Sequence, residues 1–192
     1  MYLREAILAS SGLIMATIAS EPGSQDPSLK IYSHDGLHDS LTQLAAPTAL
    51  YEQLRRELAR ANRERRIISI VRFVLTPTSS ESSLDHPPSS SRYEKEILAF
   101  AQTLTRHSRD EEVCARVGEL EFICIIHGVD SAVQRFIARI RENYRPDLTA
   151  PDGSTSEDSL LLHSFWLVAR SSESALELLN RLDVSLDSPH VR

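Results

Sequence analysis

Apolar residues recur along the chain with two different periods, and the alternation between the two predicts a layered fold. Leu50, Leu54, Leu58 and Ala61 stand three or four residues apart, the buried stripe of a helix that Pro47 can open as its first residue. Ile67 to Leu75 (Ile-Ile-Ser-Ile-Val-Arg-Phe-Val-Leu) is a short apolar run rich in β-branched side chains, the mark of a central strand. Ile97, Leu98, Ala101 and Leu104 return to helical spacing. Val113-Cys114-Ala115 and Ile123-Cys124-Ile125-Ile126 then flank a glycine, which predicts a β-hairpin turning at Gly118-Glu119, with Gly118 supplying a positive φ. Val133, Phe136, Ile137 and Ile140 define a third helix, for which Asp130 or Ser131 is the expected cap. Leu160 to Ala169, with Phe165 and Trp166, reads as a buried strand. Ala175, Leu176, Leu179 and Leu182 form the inner face of a last helix capped by Ser172. The order helix, strand, helix, hairpin, helix, strand, helix implies an α+β domain, an α/β sandwich whose helices flank a mostly antiparallel sheet.

Between these elements lie stretches of a different kind. Residues 21–37 contain Pro22, Gly23, Pro27 and Gly36 and read as a linker, while residues 1–20 fit an amphipathic helix or a strand. Thr76 to Ser91 is dominated by Ser and Pro and is expected to be a flexible loop; Tyr144 to Asp158 is a second loop of that type. The chain therefore divides into an N-terminal extension and linker, 1–38, and one domain, 39–192, in keeping with a length of 192 residues. Ala6 to Ala19 is mildly apolar, but Glu5 offsets Arg4 and Ser10-Ser11-Gly12 interrupts the run, which weighs against a signal peptide. No run reaches the ~18 apolar residues of a membrane span, and the expected location is cytoplasmic.

Charge and chemistry narrow the field further. A net charge of -6 argues against general nucleic-acid binding. Six arginines between Arg55 and Arg66 are interleaved with Glu57 and Glu64, so a solvated helix face is expected there rather than a phosphate-binding patch. Cys114 and Cys124 both lie in the hairpin. A two-residue turn at Gly118-Glu119 puts Cys114 opposite position 123 and turns Cys124 to the other face, which favours buried, reduced thiols; a turn one residue longer would pair them. His34 and His38 have the i, i+4 spacing of a helical zinc site, but Gly36 and the loop-like setting favour an uncoordinated pair. The other histidines are scattered, and no Gly-x-Ser-x-Gly nucleophile motif occurs.

Three short strings, in order, carry a family resemblance. Arg116-Val117-Gly118-Glu119-Leu120-Glu121-Phe122, with its apolar strand, resembles the signature hairpin of GGDEF domains, the diguanylate cyclase family, in which Arg-(Leu/Tyr)-Gly-Gly-(Asp/Glu)-Glu-Phe is usual. Asp39-Ser40-Leu41-Thr42-Gln43-Leu44 resembles the Asp-x-Leu-Thr-Gly-Leu-Pro-Asn-Arg string that opens such domains, with Gln43 at the Gly and Ala45, Ala46 and Pro47 after it. Glu177 to Leu186 resembles their Glu-Leu-Leu-x-x-Ala-Asp-x-Ala-Leu ending. The resemblance covers about residues 39–186 and implies a fold related to nucleotidyl cyclase and polymerase palm domains.

The same resemblance implies a chemistry most of whose residues are missing. A diguanylate cyclase joins two GTP molecules through two-metal phosphoryl transfer, with carboxylates from the end of the first strand and from the hairpin. Here the strand end is Phe73-Val74-Leu75-Thr76, the third signature position is Leu120, and only Glu121 stands at a metal position. Glu119 sets a negative side chain where the second glycine would admit phosphate, and Ala46 replaces the guanine-binding Asn. The degenerate signature Gly118, Glu119, Leu120, Glu121 and Phe122 thus implies no catalytic residues, no metal and a pseudoenzyme. The family's inhibitory site for cyclic di-GMP, Arg-x-x-Asp, falls on Arg109-Asp110-Glu111-Glu112. There Arg109 and Glu112 are candidate base contacts, and Arg106 and Arg116 candidate phosphate contacts.

The expected function is that of a non-catalytic, degenerate GGDEF domain, a regulatory binding module in cyclic di-GMP signalling. It would act through a protein partner or a homodimer, with cyclic di-GMP as a candidate regulatory ligand and no resident cofactor. A weakly active or GTP-binding cyclase and a purely structural dimerisation or docking domain are the two rival readings.

Overall fold

The computed structural model of the chain describes residues 34–77, 93–145 and 160–186. The helix or strand expected within residues 1–20, and all but the first two residues of each expected loop, lie outside the described residues. The elements follow the expected order: α1 (Pro47–Glu64), β1 (Ile68–Pro77), α2 (Glu94–His107), β2 (Val113–Gly118), β3 (Glu121–His127), α3 (Asp130–Asn143), β4 (Leu160–Val168) and α4 (Ala175–Leu186). The four strands form one antiparallel sheet in the order β2-β3-β1-β4.

Each face of the sheet is closed by two helices. Val71, Phe73, Phe122, Cys124 and Ile126 point to one side and pack on Ile97, Phe100 and Leu104 of α2 and on Val133, Phe136 and Ile140 of α3. Ile68, Ile70, Ile123 and Ile125 point to the other side and meet Leu50, Leu54 and Leu58 of α1 and Leu178, Leu179 and Leu182 of α4. That division follows from the period of two along each strand. Pro47 does stand in the first turn of α1, and the exposed arginines of that helix pair with its own acids, Arg55 with Glu52 at 2.9 Å and Arg60 with Glu57 at 3.4 Å.

Local chemistry departs from expectation in the hairpin, at the starts of α3 and α4, and along β4. The hairpin turns at Glu119-Leu120, one residue later than expected, with Gly118 opposite Glu121 and a register shift between Arg116 and Gly118. Gly118 is not at positive φ; a Cβ there would lie 3.2 Å from Glu121 Cβ, so glycine serves a close approach instead. The register shift brings Cys114 opposite Cys124, and both remain free thiols. Val129, not Asp130 or Ser131, precedes α3, with no side-chain cap. Ser174, not Ser172, caps α4: its backbone and hydroxyl donate to Glu177 Oε2 at 2.8 and 2.7 Å, a capping box. The stripe of α4 that faces the sheet is Ala175, Leu178, Leu179 and Leu182, so Leu178 lies inside and Leu176 is exposed. β4 is an edge strand among the described residues, so apart from Leu160 it is not the buried strand its composition suggests, and Leu161 is 52% exposed.

Candidate functional site

The hairpin is anchored by a buried charge pair. Arg116 is fully buried, its Nη1 3.3 Å from Asp39 Oδ1, while its Nη2 donates to the carbonyl of Glu119 at 2.7 Å. Asp39 also accepts from the backbone N–H and the hydroxyl of Thr42, at 2.8 and 2.6 Å, which shapes the 39–42 turn. Gln43 completes that turn at φ 60, a left-handed conformation that explains why a glycine suits the position. Ala45 then hydrogen-bonds to β2 through Cys114 O and Arg116 N, both at 3.1 Å. Two of the three strings read in the sequence therefore meet in space, through Arg116. This arginine is structural; sealed inside the domain, it is not open to a ligand's phosphate.

The carboxylate of Glu121 faces β1, where a second arginine meets it. Arg72 Nη2 lies 2.6 Å from Glu121 Oε2 and Arg72 Nη1 2.7 Å from Asp183 Oδ1 of α4, with the arginine side chain 9% exposed. Register explains the contact: Glu121 pairs with Val74, so Arg72, two residues along, shares its face. Glu121 and Asp183 belong to two of the strings already recognised, whereas Arg72 and its role escape the sequence reading. One signal was present, a lone charge inside the apolar run of β1, which a buried strand tolerates only when carboxylates meet it. A divalent cation does not fit beside Glu121, because β1 carries no acid and a guanidinium already lies against the carboxylate. Among the described residues, no cluster of three or more His, Cys, Asp or Glu side chains could hold a metal ion. His34 and His38 flank a loop turn, in which Asp35 accepts from the N–H groups of His38 and Leu37; those bonds hold its carboxyl below the usual range.

At the remaining positions the structure separates what the spacing put together. Arg109 is 63% exposed in the turn after α2, near Glu111 at 3.9 Å, and Arg106 is exposed in the last turn of that helix. Glu112 folds inward instead: its Oε2 accepts from the Arg109 backbone N–H at 2.9 Å and lies 3.5 Å from Arg139. Glu119 is exposed at the hairpin tip, Leu120 packs on the core, and Phe122 is fully buried, its ring 4.9 Å from that of Phe100. A separate groove of about 370 Å³ runs between α3 and the edge strand, lined by Ile137, Arg141, Ser164 and Trp166 among others.

Solved structures share this arrangement over most of its length. The GGDEF domain of DgcB from Caulobacter crescentus, in complex with c-di-GMP, superposes with a TM-score of 0.64 at 23% identity, over 81% of this chain and 90% of that one. The fold is that of GGDEF domains. The diguanylate cyclase SiaD from Pseudomonas aeruginosa, in complex with its activator SiaC, matches with a TM-score of 0.64 at 20% identity, over 83% of this chain and 59% of that one. The FimX GGDEF domain from Pseudomonas aeruginosa matches with a TM-score of 0.59 at 17% identity, over 78% and 91%. No protein-family model matches the sequence, and no curated protein matches it. Among the described residues, no helix of this GGDEF fold is long and apolar enough to cross a membrane.

Proposed function

We propose that the chain is a non-catalytic, degenerate GGDEF domain, a regulatory binding module in cyclic di-GMP signalling that acts through a protein partner. The observation that carries this reading is the Arg72 guanidinium held between Glu121 and Asp183. Phosphoryl transfer by this fold needs divalent cations against the developing charge. Here the one signature carboxylate at a metal position is neutralised by a fixed organic cation, which cannot bind and release a phosphate oxygen as a metal ion does. Glu119 adds negative charge at the tip where a triphosphate would approach. Similar domains occur with both kinds of partner, a cyclic dinucleotide for DgcB and an activator protein for SiaD.

The exposure of Arg109 favours a second ligand, cyclic di-GMP itself. Its side chain is free to stack on and hydrogen-bond to guanine, but Glu112 is turned inward, so Arg109 would read the base without the expected acidic companion. Calorimetric titration with GTP/Mg²⁺ and, separately, with cyclic di-GMP tests both parts. No heat is expected with GTP/Mg²⁺, and GTP binding lost in Glu121→Ala would overturn the non-catalytic reading. Charge-assisted bonds contribute ~1.5–3 kcal/mol, so Arg109→Ala should weaken cyclic di-GMP binding by roughly one to two orders of magnitude. Wild-type silence toward cyclic di-GMP would remove that ligand and leave protein docking.

A further inference from the structure

The delayed hairpin turn places two thiols face to face, and we propose that Cys114 and Cys124 form a site of reversible oxidation, closed to a cross-strand disulfide by a hydroperoxide. Cys114 and Cys124 are direct partners in the β2–β3 ladder and share the face packed by α2 and α3. The type of pair follows from the backbone. Cys114 O accepts from Ala45 N and Arg116 N donates to Ala45 O, so the polar groups of both residues point away from β3. In an antiparallel ladder that makes Cys114 and Cys124 a non-hydrogen-bonded pair, with Cα atoms about 4.5 Å apart and side chains at their closest. Disulfides span Cα separations of roughly 4.4–6.8 Å, so the bond can close without moving either strand.

The two sulfurs differ in a way that orders the reaction. Cys124 is fully buried, and burial, reinforced by the neighbouring Cys114 side chain, pushes its thiol up. Cys114 is half-buried, with its Sγ 3.2 Å from the hydroxyl of Ser108 at the end of α2. Cys114 is therefore the sulfur that meets the oxidant. Its thiolate attacks one peroxide oxygen, forming an S–O bond as the O–O bond breaks and hydroxide or alkoxide leaves with a proton as water or alcohol. The Cys124 sulfur then attacks the sulfenic sulfur, the S–O bond breaks, and water departs carrying the Cys124 proton. Two thiols lose two electrons in total, and one hydroperoxide is reduced.

The link would sit two residue pairs behind Arg116, on the same face of the sheet, and the Arg116 guanidinium holds the turn through the carbonyl of Glu119. Oxidation would thus pin the edge strand β2 to β3 and fix the hairpin that presents Glu119 and Glu121. The test uses the full chain, treated with a small excess of hydrogen peroxide and analysed without reductant. The expected result is a monomer lighter by two hydrogens, with no thiol titratable after denaturation, a peptide map joining Cys114 to Cys124, and full reversal by dithiothreitol. Cys114→Ser and Cys124→Ala should each abolish that mass loss. Retention of both thiols, gain of oxygen without a link, or disulfide-bonded dimers would each overturn the proposal, and the wild-type arms stand even if a variant fails to fold.

Discussion

Arg116 and Arg72 stand on the same sheet, each almost sealed from solvent and each paired with carboxylate, yet under the proposed function they do opposite things to the GGDEF pattern. Arg116 preserves it: with Asp39 and the Glu119 carbonyl it ties the opening turn to the signature hairpin. On the proposed reading Arg72 undoes it, by lying against Glu121 where the cyclase chemistry would want a free carboxylate. On that reading, scaffold and chemistry are separable within a single hairpin. The two pairs differ in burial: Arg116 and Asp39 are both sealed, and a buried charge is costly to leave unpaired, whereas Glu121 keeps 30% of its side chain exposed.

The largest effect should come from breaking the scaffold pair. Arg116→Met leaves Asp39 buried without its cation, and loss of one partner of a buried pair costs about 3–5 kcal/mol. Urea unfolding should show a sharply lowered midpoint, and adding Asp39→Asn should recover part of it. An unchanged midpoint would dissolve the contrast between the two arginines. Arg72→Met should cost less, about 1.5–3 kcal/mol, because Glu121 and Asp183 keep partial access to water. A double-mutant cycle of Arg72→Met with Glu121→Gln measures the coupling directly; coupling near zero would show that the pair is incidental.

A smaller, pH-dependent effect separates these pairs from an ordinary bridge elsewhere. Burial raises the Glu173 carboxyl, but hydrogen bonds from the Arg181 side chain and the Arg170 backbone N–H, with the charge of both arginines, outweigh it and hold the pKa below the usual range. A depressed carboxyl contributes stability above its unfolded pKa, and that contribution is lost as pH falls through the folded pKa. Wild type should therefore lose stability on acidification below the ordinary carboxylate range, and Glu173→Gln should flatten that limb. Its stability at neutral pH should fall by no more than about 1 kcal/mol. A steeper acid limb in the variant would contradict this assignment.

The sequence was a good guide where a pattern repeated and a poor one where a single residue decided. Leu50, Leu54, Leu58 and Ala61 appear as one buried stripe because a helix face needs several apolar residues in phase. The hairpin turn, by contrast, is displaced by one register shift near Val117, which no periodicity announces and which reverses the relation of Cys114 to Cys124. Ser172 and Ser174 are equally good caps on composition; only Glu177, three residues after Ser174, makes the capping box. At the site, the signature letters were legible, but the partners of Glu121 were not, since Arg72 and Asp183 lie 49 residues before it and far after it in the chain. Arg109 and Glu112 have family-like spacing, yet Arg139 and the Arg109 backbone draw Glu112 inward, a tertiary contact that spacing does not encode.

The central claim is that Arg72 stands in the way of cyclase chemistry at Glu121, and turnover is its most direct test. Purified protein incubated with GTP and Mn²⁺ or Mg²⁺, with products separated by chromatography, should yield no cyclic di-GMP above a protein-free control. Cyclic di-GMP produced by wild type and lost in Glu121→Ala would contradict the account.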